Sequence, residues 1–209
     1  MGKELKMMSH DKRSSSNESL DISMEKTRDL SGEEFMAMFH SFKESAFRLE
    51  TLSQYLVDQF DKDYEDFLRG EPLASNKNDD WCNLIASSVA EGKSFSRVHI
   101  LPQELSSYLR FEIEWGYVYN VAAGSDIRLL EWQNVTDEIR SIATKDFWLF
   151  DNTTVVLMDY SAREGRYEGA RVIEPGVSVE KYNHIRQLTW GLATDFRAFL
   201  SKYRRGEIG

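Results

Sequence analysis

The residues of this chain that most often carry nucleophilic or metal chemistry are its four histidines and its single cysteine. His10, His40, His99 and His184 stand apart, and none lies within four residues of another or of Cys82. A local zinc site needs ligands at short, regular spacings, and no such spacing is present. Glycine-rich phosphate loops and the nucleophile elbow of hydrolases are also absent from the sequence. We therefore predict neither a metal site nor a cofactor.

Arg97 and His99 form a basic pair within a segment that alternates like a strand. A spacing of two residues puts both side chains on the same face of a strand. That face could meet a ligand, but a solvated strand face is the simpler interpretation.

A second polar grouping consists of Arg110, Glu112 and Glu114. Paired carboxylates can serve as general acid and base when their side chains converge. In a helix, however, residues two apart point to different faces, so convergence would require an extended backbone. The sequence does not favour catalysis at this position.

The elements that would position these groups alternate between helices and strands. Helices are predicted over residues 31–44, 64–70, 79–91, 102–115 and 178–202. Strands are predicted over residues 46–52, 95–101, 126–132, 147–150, 154–160 and 167–173. This order indicates crossover connections and a mixed sheet with flanking helices, an α/β fold with α+β as the alternative.

Residues 145–151 are typical of a buried strand that ends in an acid. Alternation puts Phe147 and Leu149 in the core on one face and turns residues 146, 148 and 150 to the other. Asp151 stands at the strand end, where we expect a turn residue or a ligand contact.

Acidic residues outnumber basic ones by 35 to 26, which gives a net charge of −9. Such a surface repels phosphate backbones, so nucleic acid is disfavoured as a partner. No apolar run reaches the roughly 18 residues that span a bilayer, so we expect no membrane partner. The single cysteine excludes an internal disulfide, and a cytoplasmic location is the default expectation.

Residues 1–30 are rich in Ser, Lys, Glu and Asp and carry almost no apolar periodicity. Such a segment cannot bury enough surface to offset its ordering entropy. We predict a disordered tail over residues 1–30 and a single globular domain over residues 31–209.

Four segments together resemble a family of small bacterial proteins, largely actinobacterial, with a domain of unknown function. They span residues 39–50, 108–112, 123–128 and 146–151, and the similarity extends over about 33–199. The resemblance implies a gene near helix-turn-helix regulators but lends no activity.

The chain from Phe95 to Phe199 is also similar to a single lobe of the phospholipase D-like fold. In those enzymes the motif H-x-K-x4-D supplies a nucleophilic histidine and a phosphate-binding lysine. With Asp151 as the acid, the two positions hold Thr144 and Asp146. Thr144 has no imidazole, and the carboxylate of Asp146 would repel phosphate, which argues against phosphodiesterase activity.

We therefore expect a non-catalytic regulatory or interaction protein that binds a partner protein or a small ligand through a degenerate cleft. The alternative is an enzyme whose site forms from Arg97, His99, Arg110, Glu112 and Asp151. The candidate ligand-binding residues are Arg97, His99, Arg110, Glu112, Arg128, Asp146, Trp148 and Asp151. The last four are expected to share one concave surface.

Overall fold

The computed structural model describes residues 26–56, 61–73, 79–162, 164–174 and 179–208. The strands are β1 (Thr27–Leu30), β2 (Ser45–Glu50), β3 (Ser94–Ile100), β4 (Asp126–Leu130), β5 (Phe147–Phe150), β6 (Thr154–Tyr160), β7 (Tyr167–Ile173) and β8 (Thr194–Asp195). The helices are α1 (Gly32–Ser41), α2 (Asp61–Leu68), α3 (Asp80–Ala90), α4 (Ser107–Phe111), α5 (Tyr117–Ala122), α6 (Asp137–Ile142), α7 (Glu180–Leu192) and α8 (Phe196–Arg204).

All the strands belong to one mixed sheet of order β1-β7-β6-β5-β2-β3-β4-β8. β2, β3 and β4 run parallel, because helical crossovers connect them. The remaining neighbours pair antiparallel, including β2 with β5. The mixed α/β fold predicted from the helix and strand order is confirmed.

Helices cover both faces of the central strands. One face, which we call the core face, carries Phe47, Leu49, Phe147 and Leu149 and packs against α6 and α7. The opposite face, the polar face, carries alternate residues of the same strands. Its lower part packs against α1 and α3, and the helices α4 and α5 lie over its upper part. The predicted division of residues 146–150 between the two faces is confirmed.

Local sequence signals account for several helix starts. Ser31 accepts a hydrogen bond from the N–H of Glu34, and the Glu34 carboxylate accepts one from the Ser31 N–H, which completes a capping box. Asp79 caps α3 through the N–H of Cys82.

The hairpin between β5 and β6 confirms the predicted turn. Asp151 and Asn152 have left-handed φ values of 52° and 57° within the three-residue connection between Phe150 and Thr154, where the Thr153 N–H donates to the Phe150 carbonyl. Asp and Asn tolerate this backbone better than other residues with a side chain. The Asp151 carboxylate also accepts hydrogen bonds from the N–H groups of Lys43, Glu44 and Ser45, which ties the hairpin to the start of β2.

The predicted tail is too long at its C-terminal end. Residues Thr27–Leu30 form β1, which pairs antiparallel with β7 at the sheet edge. A strand at a sheet edge can form its backbone hydrogen bonds without an apolar side-chain pattern. The polar composition of these residues therefore did not predict a strand. Residues 1–25 of the predicted tail lie outside the described residues.

The predicted long helix over residues 178–202 is wrong, because the chain breaks at Ala193. α7 ends at Leu192, β8 pairs with β4, and Asp195 caps α8 through the N–H groups of Arg197 and Ala198. The apolar spacing continues across the break, so periodicity alone could not reveal it.

The predicted helix over residues 102–115 is shifted along the chain. It begins after the cap Ser106, and Gly116 does not end it, since α5 follows directly. Between α4 and α5, residues Glu112–Gly116 form a π-helical turn. Such turns insert one extra residue and often occur where a helix presents a functional group.

Candidate functional site

The strand register brings four charged or polar residues together on the polar face. Arg48 of β2 lies beside Arg97 of β3, and Glu50 lies beside His99. On the other side of β2, Arg48 is paired with Trp148 of β5. Arg48, Glu50 and His99 each expose less than a tenth of their surface, and Arg97 is mostly buried. A charged group in a central strand must find partners inside the protein.

Asp146 is the main acceptor of this cluster. Its carboxylate accepts hydrogen bonds from Arg48 Nη2 at 2.9 Å, from the Tyr55 hydroxyl at 2.6 Å and from the Thr51 hydroxyl at 2.7 Å. The Thr51 N–H donates a fourth at 2.9 Å. Arg48 Nη2 also donates to the Tyr160 hydroxyl at 2.8 Å. Asp146 is thus an internal partner of Arg48.

Tyr55 reaches Asp146 because the chain after β2 passes close to the turn between β6 and β7. A Cβ on Gly165 would lie 2.0 Å from the Gln54 carbonyl oxygen, so only glycine permits this approach. The φ of Gly165 is also positive, at +64°. The Leu56 N–H donates to the Gly165 carbonyl and fixes the crossing.

Glu50 joins the cluster from the β2 end. Arg97 Nη1 lies 3.1 Å from both of its carboxylate oxygens, and the Tyr117 hydroxyl lies 3.1 Å from Oε2. His99 Nδ1 is 2.6 Å from the same hydroxyl, and Nε2 is 2.8 Å from the Leu52 carbonyl oxygen. In a neutral ring Nε2–H donates to the Leu52 carbonyl oxygen and Nδ1 accepts, so the single Tyr117 hydroxyl proton lies between two acceptors, Nδ1 and Glu50 Oε2.

Burial and charge fix the protonation of these groups. Burial lowers the pKa of His99 more than Glu50 raises it, so the ring is held neutral. Burial alone would raise the pKa of Glu50, but the charges of Arg97 and Arg48 lower it. Burial raises the pKa of Tyr117 well above its usual value. The resident charges are therefore on the arginines and carboxylates.

A cavity of about 920 Å³ lies above this cluster. Arg48, Glu50, Arg97 and Trp148 contribute to its lining from the strands. Its aromatic lining residues come from the helices on the polar face, from β5 and β6, and from the segment after β2: Phe35, Phe39, Tyr55, Trp81, Tyr108, Phe111, Tyr119, Trp148 and Tyr160. Cavities of a few hundred to about 1,000 Å³ with apolar walls and few polar groups are typical small-molecule sites.

The π-helical turn places Glu112 in the lining of this cavity. The Tyr108 hydroxyl donates to Glu112 Oε1 at 2.8 Å. A Cβ on Gly116 would lie 2.5 Å from Glu112 Oε2, so the glycine leaves room for the carboxylate. Glu114, two residues on, instead accepts a hydrogen bond from Tyr203 of α8. The predicted divergence of the two glutamates is confirmed.

Of the predicted site residues, Arg97, Glu112 and Trp148 line the cavity, and His99 and Asp146 support it from below. The expectation that Arg97 and His99 occupy a solvated strand face is wrong, since His99 is completely buried. Both ring nitrogens of His99 are engaged in hydrogen bonds. His99 is therefore not placed to attack a ligand.

The other three predicted site residues lie elsewhere. Arg128 is on the core face, where its guanidinium stacks 4.1 Å from the Trp190 ring. Arg110 is exposed beside Tyr203, and Asp151 lies at the far end of β5. The concave surface expected from Arg128, Asp146, Trp148 and Asp151 therefore does not form, and neither does the five-residue catalytic set that included Arg110 and Asp151.

Sequence reasoning missed Arg48, Glu50, Tyr55, Tyr108 and Tyr160. A signal was available for the first two, because charged residues in a strand between two other strands are rarely left in water. Nothing local marks Tyr55, which reaches the cluster only through the crossing at Gly165.

The comparisons with known proteins identify the family. Residues 33–201 match the family described as "Domain of unknown function (DUF6879)", and the chain belongs to it. The extent agrees with the resemblance stated from the sequence. No curated protein matches the chain.

Two solved structures have a similar fold. Nuc from Salmonella typhimurium, a phospholipase D family member, is 14% identical and has a TM-score of 0.47 over 81% of this chain and 98% of its own. TrmBL2, an archaeal chromatin protein, is 12% identical and has a TM-score of 0.45. That match covers 82% of this chain and 55% of TrmBL2.

Two further observations concern only the described ranges. None of the helices there combines the length and apolar character needed to cross a membrane. Within the same residues, His, Cys, Asp and Glu side chains nowhere gather in a group of three that could hold a metal ion.

Proposed function

We propose that this protein binds a small organic molecule in the cavity above the polar face and does not turn it over. The observation that carries the proposal is the cavity itself, about 920 Å³ with aromatic walls and a hydrogen-bonded charged floor. Because the floor is fixed by internal hydrogen bonds, it is organised before a ligand arrives. Binding without turnover suits a regulatory role, in which occupancy is the signal.

The engagement of the reactive groups supports binding over catalysis. Both nitrogens of His99 and both oxygens of Asp146 have partners within the fold. A general base must be within reach of the proton it takes, and these groups already serve the scaffold. A cavity of this depth also favours a small ligand over a partner protein, which would need a broad surface.

A bulky substitution at Ser87 should block the cavity and leave its charged floor unchanged. It is an exposed residue of α3 that lines the cavity, and its hydroxyl donates to the Asn83 carbonyl at 2.8 Å. Ser141 of α6 makes the same kind of contact with the Glu138 carbonyl at 2.7 Å, but beneath the core face. Ser87→Phe and Ser141→Phe are therefore a matched pair.

The test is a thermal-shift screen of a metabolite library, with isothermal titration of each compound that raises Tm. We expect compounds that bind the wild type and Ser141→Phe equally and bind Ser87→Phe at least ten-fold more weakly. Equal binding to both variants would place the ligand outside the cavity. A library without a single binder would also contradict the proposal.

A further inference from the structure

We infer that the ligand of this cavity is a nucleobase or nucleoside without phosphate. The inference rests on the proposed function and adds the chemical class of the ligand. Three properties of the cavity carry it: its aromatic walls, the hydrogen-bonding groups in its lining, and the sign of its charge.

The walls suit a flat ring. Phe39 and Trp81 belong to one aromatic cluster, with ring centroids 5.3 Å apart. Tyr55 and Tyr160 form a second pair, with centroids 5.1 Å apart. Side chains of both groups line the same cavity. Aromatic side chains stack on the flat face of a nucleobase, and they do so for every base because each has a π face.

The hydrogen-bonding side chains of the lining favour a ligand ring that both accepts and donates hydrogen bonds. Arg97 contacts Glu50 through Nη1, and its guanidinium carries five N–H donors in all. Arg97 also lines the cavity, so it can donate to a ligand acceptor. The Glu112 carboxylate lies in the same lining and can accept from a ring N–H or an exocyclic amine.

The charge of the lining opposes a phosphate. Arg48 and Arg97 face four acids in the described lining, namely Glu50, Glu112, Asp79 and Asp80. Both arginines already have carboxylate partners at 2.9 and 3.1 Å. A phosphate would add about −1.5 to −2 charges to a site that is formally negative. The volume of about 920 Å³ is sufficient for a base with its ribose.

Isothermal titration of the full chain with adenosine, guanosine, cytidine and uridine, and with their 5′-monophosphates, tests this inference. We expect at least one nucleoside to bind with a Kd below 100 µM and its monophosphate at least ten-fold more weakly. Tighter binding of the monophosphate would overturn the inference in favour of an anion held by Arg97. Absence of binding by all four nucleosides would overturn it as well.

Two glutamates of the same π-helical turn provide the variant and its control. Glu112→Gln should weaken nucleoside binding at least ten-fold, because Glu112 lines the cavity. Glu114→Gln should change binding less than two-fold, because Glu114 contacts Tyr203 of α8. Equal affinity of the two variants would count against the inference.

Two glycine variants test the role of the Glu112 carboxylate again, so that the inference does not depend on the folding of Glu112→Gln. Gly116→Ala adds a Cβ 2.5 Å from Glu112 Oε2 and must displace that carboxylate, whereas Gly191→Ala meets nothing within 4 Å. Nucleoside binding should fall in the first and stay unchanged in the second. If nucleosides fail but other compounds bind in a manner that Ser87→Phe abolishes, the proposed function stands and the nucleoside inference falls.

Discussion

The two faces of the central strands bury different kinds of side chain. Phe47, Leu49, Phe147 and Leu149 form a buried apolar cluster with residues of α6 and α7 on the core face. Alternate residues of the same strands carry charges that must be paired internally, and a cavity remains above them. One face thus supplies stability, and the other combines buried polar groups with open space, which is the usual composition of a binding site.

The largest expected effect is the loss of an internal charge partner on the polar face. Asp146→Ala would leave Arg48 buried with its principal carboxylate gone, and removing one partner of a buried pair costs about 3–5 kcal/mol. Urea unfolding followed by circular dichroism measures this loss. The control is Asp159→Ala, which removes a partly exposed partner of Arg171 and should cost about 1 kcal/mol or less. Similar losses in both variants would contradict the internal role of Asp146.

Truncation on the core face should affect stability and spare the cavity. Leu149→Ala removes a fully buried side chain from the contact with α6 and α7, and such changes cost about 2–5 kcal/mol. Any ligand found in the screen should bind the folded variant within two-fold of the wild type. A ten-fold change in affinity, measured by isothermal titration, would show that the two faces are not independent.

His99 should make the polar face sensitive to acid. Burial lowers the pKa of His99 in the folded protein, while the unfolded chain keeps a value of about 6.5. Below pH about 6.5 the unfolded state binds a proton that the folded state refuses, so stability falls with falling pH by up to about 1.4 kcal/mol per unit. Above that pH the contribution is fully present.

The matching variant is His99→Gln, which cannot titrate. Its deficit in unfolding free energy relative to the wild type should be largest at pH 8 and should shrink as the pH is lowered to 5.5. Urea titrations at four values of pH across this range measure the difference. A deficit that stays constant would mean that His99 is not held neutral in the folded protein.

The smallest expected effect lies at the hairpin end of β5. Asp151 accepts hydrogen bonds from three successive backbone N–H groups, which outweigh its partial burial and lower its pKa. Asp151→Asn keeps the size and tolerates the left-handed backbone, so we expect a loss of about 1 kcal/mol at pH 7. Because the folded pKa is depressed, this difference should begin to shrink as the pH falls below about 4 and should be lost as the pH falls through the lower pKa of the folded state. Unfolding midpoints at pH 7 and pH 3 test it.

Much of the fold could be predicted because it follows from local patterns. The alternation of residues 147–150 gave the correct faces, and the helices predicted to begin at residues 31 and 79 have their N-caps at those positions. The end of α7 before Ala193 could not be predicted, because it depends on the pairing of β8 with β4. The continuation of the helix past Gly116 could not be predicted either, because it depends on the π-helical turn. The site was recovered only in part, through Arg97, His99, Glu112, Asp146 and Trp148.

The sequence by itself determined which residues share a face, since a strand repeats every two residues whatever surrounds it. It could not determine whether the polar face would meet water or protein. That was decided when the segment after β2, crossing at Gly165, and the helices α4 and α5 came to lie over Arg48, Glu50, Arg97 and His99. These contacts join residues far apart in the chain, and only tertiary packing specifies them.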